Sequence, residues 1–247
     1  MIEFIDIHKA FGDNKVLDGV SVTVQKGQIL FIIGKSGAGK SVLVKHLVGL
    51  LRQDAGRILF EGEDISNYRE KDFYDMRKRC AMVFQHSTLF DSMTLLDNVA
   101  LPIRKHRQVQ RREAQAMAME KLRLVHMEHL AERVPGEIGD GLRKRVAIAR
   151  ALTLEPAYVV FDEPTTGLDP VSAIRVDRLI REMSDRTGVT SVVVSHDLRS
   201  IFGIADRIVM LYQGKVLLDG PPAAFRASGD AVVRQFVNGL PEGPMEL

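Results

Sequence analysis

From Gly34 to Ser41 the chain reads GKSGAGKS, and the five residues before it, ILFII, are all apolar. No other stretch restricts the fold as strongly. A run of five apolar residues is too short for a helix and fits a strand buried on both faces. Gly34, Gly37 and Gly39 let the backbone turn tightly, and Lys40 opens a helical pattern that reaches Leu51. Strand, glycine loop and helix in that order form the first part of a crossover α/β unit. The loop matches G-x-x-x-x-G-K-[ST] in the context that pattern requires. Its chemistry follows from the groups it offers. The backbone amides of Gly34, Lys35, Ser36, Gly37, Ala38 and Gly39 can close around phosphate oxygens. Lys40 reaches the terminal phosphates, and the Ser41 hydroxyl can ligate Mg²⁺.

The rest of the chain agrees with an α/β fold. IEFIDI, AMVF, YVVF, TSVVV and RIVML read as further strands. The central ones are apolar throughout, as in a parallel sheet covered on both faces. Helical patterns at Gln110–Val125, Leu142–Leu154 and Val171–Arg186 alternate with them. Between Leu89 and Arg150 strand signals give way to helix, which predicts an inserted helical subdomain over 89–150. Proline and glycine cluster again after Gly220. The expected organisation is one domain, 1–247, with an α/β core over 1–88 and 151–220 and an appendage over 221–247.

Composition excludes several classes. A net charge of +2 on 34 basic and 32 acidic residues gives no support for non-specific nucleic-acid binding, which wants a concentrated basic face. The single cysteine, Cys80, rules out an internal disulfide framework and fits a reducing compartment. The N-terminal MIEFIDIHKAF carries acids and no long apolar run, unlike a secretory signal. The longest apolar runs are too short to span a bilayer, so the chain is expected to be soluble and held at any membrane by another protein.

A second set of residues belongs with the glycine loop. YVVF leads into Asp162 and Glu163. An acid ending a buried strand suits Mg²⁺, and the next one can orient or deprotonate an attacking water. TSVVV ends in Ser195, His196 and Asp197. His196 is either an ordinary surface histidine or, at the carboxyl edge of the sheet where ligands collect, a contact to a terminal phosphate. Gln85 follows AMVF and can contact Mg²⁺ or water.

In order, GKSGAGKS, VFQ, a glycine turn before RKRVAIARAL, VVFDEPTTGLDP and VVVSHD resemble an ATP-binding-cassette (ABC) ATPase over essentially the whole chain. The resemblance implies a P-loop NTPase core with a mainly parallel sheet, an antiparallel N-terminal β subdomain and an inserted helical subdomain, using ATP and Mg²⁺. It identifies Lys40 and Ser41 with the Walker A pair and Asp162 with the Walker B acid. Glu163 is then the catalytic glutamate, Gln85 the Q-loop residue, Asp169 the D-loop acid and His196 the switch histidine. Phe11 takes the place of the aromatic that stacks on adenine, with a packing role as its alternative.

The turn before RKRVAIARAL departs from the family. Relatives read LSGGQ or LSGGM there and bind the terminal phosphate of ATP held by a second copy. Ile138, Gly139, Asp140, Gly141 and Leu142 lack the serine and replace one glycine by an acid. Asp140 either satisfies the amides that should face the phosphate or caps the helix and turns away. Arg143, Lys144 and Arg145 stand close enough to offset its charge.

Two further stretches, HSTLFDSMTLLDNVALPIRK and VVRQFVNGLPEGPM, resemble the ATPase of Mla-type transporters, phospholipid-handling complexes built with MCE proteins. That implies a homodimer under a separate permease, with an MCE-type lipid-binding subunit and a small accessory subunit, at the cytoplasmic face of an inner membrane. LFDSMT lies where such ATPases meet the membrane subunit, and the tail resembles one that reaches the neighbouring ATPase. Phe236, Val237 and Leu240, at helical spacing, fit docking of that tail. The basic run Arg104–Arg112 is a solvated face or a contact to anionic lipid heads. The same motor with an amino-acid or ion cargo, and a dimerisation switch with weak hydrolysis, are the alternatives.

Overall fold

The computed structural model describes residues 1–245; Glu246 and Leu247, the end of the expected appendage, lie outside the described residues. The strands of the first half are β1 (Ile2–Phe11), β2 (Asn14–Val24), β3 (Ile29–Ile33), β4 (Ala55–Phe60), β5 (Glu63–Asp64) and β6 (Cys80–Val83). Those of the second half are β7 (Tyr158–Asp162), β8 (Thr190–Val194), β9 (Arg207–Tyr212) and β10 (Lys215–Gly220). They form two sheets. One is antiparallel, in the order β2-β1-β4-β5. The other runs β10-β9-β3-β8-β7-β6 and is parallel except for its β10 edge.

Alternation along the central strands explains why they are apolar at every position. Ile29, Phe31 and Ile33 of β3 enter one hydrophobic cluster, while Leu30 and Ile32 enter the other. Val159 and Phe161 of β7 oppose Tyr158 and Val160 in the same way. Successive side chains of a strand point to opposite faces, so a sheet covered on both sides needs apolar residues throughout. The antiparallel sheet and α1 (Lys40–Leu47) cover one face.

The other helices are α2 (Glu70–Arg79), α3 (Leu95–His106), α4 (Arg111–Leu124), α5 (Asp140–Ala151), α6 (Pro170–Thr187), α7 (Leu198–Ile204), α8 (Pro222–Arg226) and α9 (Ala231–Asn238). Leu95, Val99 and Ile103 of α3 and Ala114, Ala118 and Leu122 of α4 share a cluster with the second face of the parallel sheet. Described residues between Leu89 and Arg150 contain no strand. α1 stops at Leu47, before the expected Leu51, because the Leu50 amide returns to the Lys45 carbonyl (3.0 Å) and closes the helix end. α6 starts at Pro170 with the Asp169 carboxylate accepting from the Val171 and Ser172 amides, so this acid caps its own helix.

The C-terminal segment differs from a detached tail. Val233 of α9 is fully buried, and Phe236 and Val237 pack on the chain's own core, leaving Leu240 exposed. Gln235 folds the following turn back by accepting from the Met245 amide (2.7 Å). Two of the three apolar residues expected to dock on a neighbour are therefore used within the chain.

Candidate functional site

Lys40 begins α1 at the carboxyl end of β3, and the loop before it is closed by tight packing. At Gly34 the backbone has φ +143°, and an added Cβ would lie 2.3 Å from the Leu211 carbonyl oxygen. Only glycine meets both conditions. Lys40 is 7% exposed, and its Nζ donates to the carbonyls of Gly34 (2.9 Å) and Lys35 (3.0 Å). Burial pulls its pKa down, while Glu163 and Asp162 push the other way.

β7 lies two strands from β3, with β8 between them, and carries the acids to the same end of the sheet. The Ser41 hydroxyl donates to Asp162 Oδ1 at 2.5 Å. These are hard oxygen donors of the kind Mg²⁺ takes. No cluster of three or more His, Cys, Asp or Glu suited to a metal occurs among the described residues, so remaining ligands would come from Gln85, phosphate and water. Glu163 stands at φ +52°, left-handed for a residue with a side chain. Such a position costs on the order of 1–3 kcal/mol and persists where surrounding contacts impose it. Here its amide donates to the Val194 carbonyl (2.9 Å), and its Oε2 accepts from Thr166 Oγ1 (2.9 Å). The same Oε2 lies 2.9 Å from His196 Nδ1. Strand β8 thus brings the exposed His196 to Glu163 at the phosphate loop's end of the sheet.

Lys40, Ser41, Glu163 and His196 line one cavity of about 760 Å³ that also takes in Phe11, Gln85 and Phe236, with Asp162 reaching it through its hydrogen bond to Ser41. The Phe11 ring is 49% exposed on the cavity wall, with Lys9 Nζ 5.4 Å from its centroid. Phe236, expected on a neighbour, was not anticipated here. A more apolar cavity of about 540 Å³, beside Pro156, Tyr158 and Met183, contains no phosphate-binding loop.

The glycine turn before α5 is not part of the 760 Å³ cavity in a single chain. Gly139 is the N-cap of α5, and Asp140 is the first helical residue, so the alternative in which Asp140 caps the helix does not hold. Its carboxylate is 75% exposed and sits 3.3 Å from Arg143 Nη1. Gly141 approaches α6 so closely that a Cβ would lie 2.8 Å from the Ser172 side chain. Of the three basic residues that follow, Arg143 alone stands at salt-bridge distance from Asp140, whose charge also acts on the Lys144 ammonium. Arg145 donates to the carbonyls of Val125 and His126. Lys144 is buried and donates to the carbonyls of Phe84 (2.9 Å) and Gln85. Burial pushes the Lys144 ammonium pKa down to about 8. Along the chain Lys144 stands close to Asp140, and nothing in the sequence pointed to this contact.

Comparison with known proteins follows the same outline. The ABC transporter family model matches residues 17–166. The intermembrane phospholipid transport system ATP-binding protein MlaF of Escherichia coli is 38% identical over 245 residues, 99% of this chain and 91% of the relative. The probable ribonucleotide transport ATP-binding protein mkl of Mycobacterium tuberculosis is 37% identical over 246 residues, 100% of this chain and 68% of the relative. Among solved structures, the dimeric post-hydrolysis state of the ATP-binding cassette MJ0796, bound to ADP and Pi, matches with a TM-score of 0.82 at 28% identity. It covers 90% of this chain and 98% of that one. With a closed phosphate loop, convergent acids and this full-length similarity, the chain belongs to the ABC transporter family as an ATP-binding, ATP-hydrolysing cassette.

Proposed function

We propose that this chain drives phospholipid transport in a bacterial envelope, as one of two copies working beneath a separate integral-membrane permease. The observation that carries the cargo assignment is the alignment with MlaF, which spans 99% of this chain and 91% of that protein. In this reading the loop amides and Lys40 hold the phosphates, and Phe11 stacks on the adenine. Ser41, Asp162 and Gln85 hold Mg²⁺, which supplies charge neutralisation on the phosphates. Glu163 takes the proton of the attacking water, and His196, already beside it, contacts the terminal phosphate. Gly139, Asp140 and Gly141 face the nucleotide held by the second copy. The helical stretch over 89–150 is a subdomain of one cassette, and an MCE-type lipid-binding protein and a small accessory subunit complete the complex. The chain sits at the cytoplasmic face of the inner membrane through its permease; no described helix is long and apolar enough to cross a bilayer.

The name of the mycobacterial relative favours a second reading, the same motor with another cargo. Purification of the tagged chain with its native membrane complex, followed by protein and lipid mass spectrometry, separates them. Phospholipid and an MCE-type subunit are expected, with ATP turnover abolished by Lys40→Ala. A permease paired with a small-solute binding protein, and no enriched lipid, would replace the phospholipid assignment.

A further inference from the structure

Gln85 alone among the described residues lines both the 760 Å³ cavity and a neighbouring cavity of about 380 Å³ that Asp140, Arg143 and Lys144 also line. Its backbone is gripped from α5. Lys144, 3% exposed, places its Nζ between the carbonyls of Phe84 (2.9 Å) and Gln85. Farther along the same helix, Arg150 donates to the carbonyls of Ser87 (3.2 Å) and Thr88 (2.8 Å) and to the Thr88 hydroxyl (2.9 Å). The Lys144 ammonium has no carboxylate at salt-bridge distance among the described residues; the charges of Asp162, Asp140 and Glu163 favour it, yet burial outweighs them, a cost that an apolar side chain would avoid. Lys144 stands one turn from Gly139–Gly141, so the segment 84–88 and that turn are attached to one rigid helix.

We propose that Lys144 is a positioning residue for ATP hydrolysis, holding Gln85 at the nucleotide cavity and tying its place to that of the α5 N-terminal turn. The proposal rests on the ATPase assignment above and adds the link between two of its parts. It predicts that Lys144 acts on turnover through Gln85 and not through ATP affinity.

The test is a double-mutant cycle on the transporter assembled with the full chain, reading kcat and KM for ATP. Lys144→Met should lower kcat by about tenfold, the size expected for coupled neighbours, with KM within about twofold. Lys144→Arg, which retains donors of similar reach, should recover most of the loss. In a Gln85→Ala background, Lys144→Met should change kcat by less than about twofold. Equal losses in both backgrounds, or a raised KM with kcat intact, would overturn the proposal. If Gln85→Ala leaves kcat unchanged while Lys40→Ala abolishes it, the positioning role fails and the ATPase assignment stands. Turnover that survives Lys40→Ala would instead remove the ATPase assignment itself. Should the Met variant unfold, Lys144→Gln is carried through the same cycle.

Discussion

Restoring the two groups missing from the turn before α5, with Gly139→Ser and Asp140→Gly, is expected to raise ATP turnover. The structure has room for the change. Gly139 is an N-cap at φ −73°, with nothing within 4 Å of an added Cβ, and serine is among the preferred residues there. Asp140 is exposed and pairs with Arg143 at 3.3 Å. Losing such a pair costs about 0–1 kcal/mol, and losing an acid from a helix first turn costs about 0.3–1 kcal/mol. Both losses affect the fold slightly and leave the P-loop untouched. The gain is a hydroxyl donor to a charged phosphate, about 1.5–3 kcal/mol. If that bond strengthens fully in the transition state, turnover rises by at most roughly ten- to a hundredfold. A smaller rise is expected where motions of the permease limit the cycle. The assay is steady-state phosphate release by the assembled transporter at saturating ATP, for both single variants and the double, with thermal unfolding as the control for fold. A fall in turnover with the fold intact would show that Asp140 is fitted to this site, and the description of the turn as degenerate would go.

Glu163→Gln is expected to retain ATP binding and to accumulate an ATP-bound pair of copies, because the water loses its base while the phosphate cradle remains; full turnover would move the base elsewhere. Asp177 is buried on α6, where its Oδ2 accepts from Ser200 (2.8 Å), its Oδ1 has no partner among the described residues, and Asp197 and Arg199 supply the nearby charge. Burial pushes its carboxyl from 3.8 up to about 6. The folded chain therefore holds a proton that the unfolded chain releases between these values, and stability falls as pH rises through that window. Asp177→Asn should stabilise the fold at pH 8 by up to about 3 kcal/mol, read as a higher thermal midpoint, and change little at pH 4; equal effects at both would refute the burial argument. Gly34→Ala should abolish binding of a fluorescent ATP analogue, since its methyl group would strike the Leu211 carbonyl. Wild-type affinity would show that the loop yields.

The legible parts of this protein are those whose cause is local. A phosphate loop needs a strand, a glycine turn and a helix within some twenty residues, so ILFIIGKSGAGKS carries its own context. Covered parallel strands need apolar residues at every position, so YVVF and TSVVV announced β7 and β8. The ends of those strands located Asp162, Glu163 and His196, because a parallel sheet delivers all its carboxyl edges to one side.

What the sequence could not show depends on contacts between distant residues. Ser41 and Asp162 are 121 positions apart, and only the sheet order places one beside the other. Lys144 and Phe84 are 60 apart, and a lysine in a basic run looks solvated until the fold closes over it. The helix starts at Asp140, one residue too early for that acid to cap it, so the carboxylate turned to Arg143. Val233 looked like part of a peripheral tail and is fully buried. Local conformational preference and side-chain periodicity are written along the chain, whereas burial and partner choice follow from which surfaces the completed fold brings into contact.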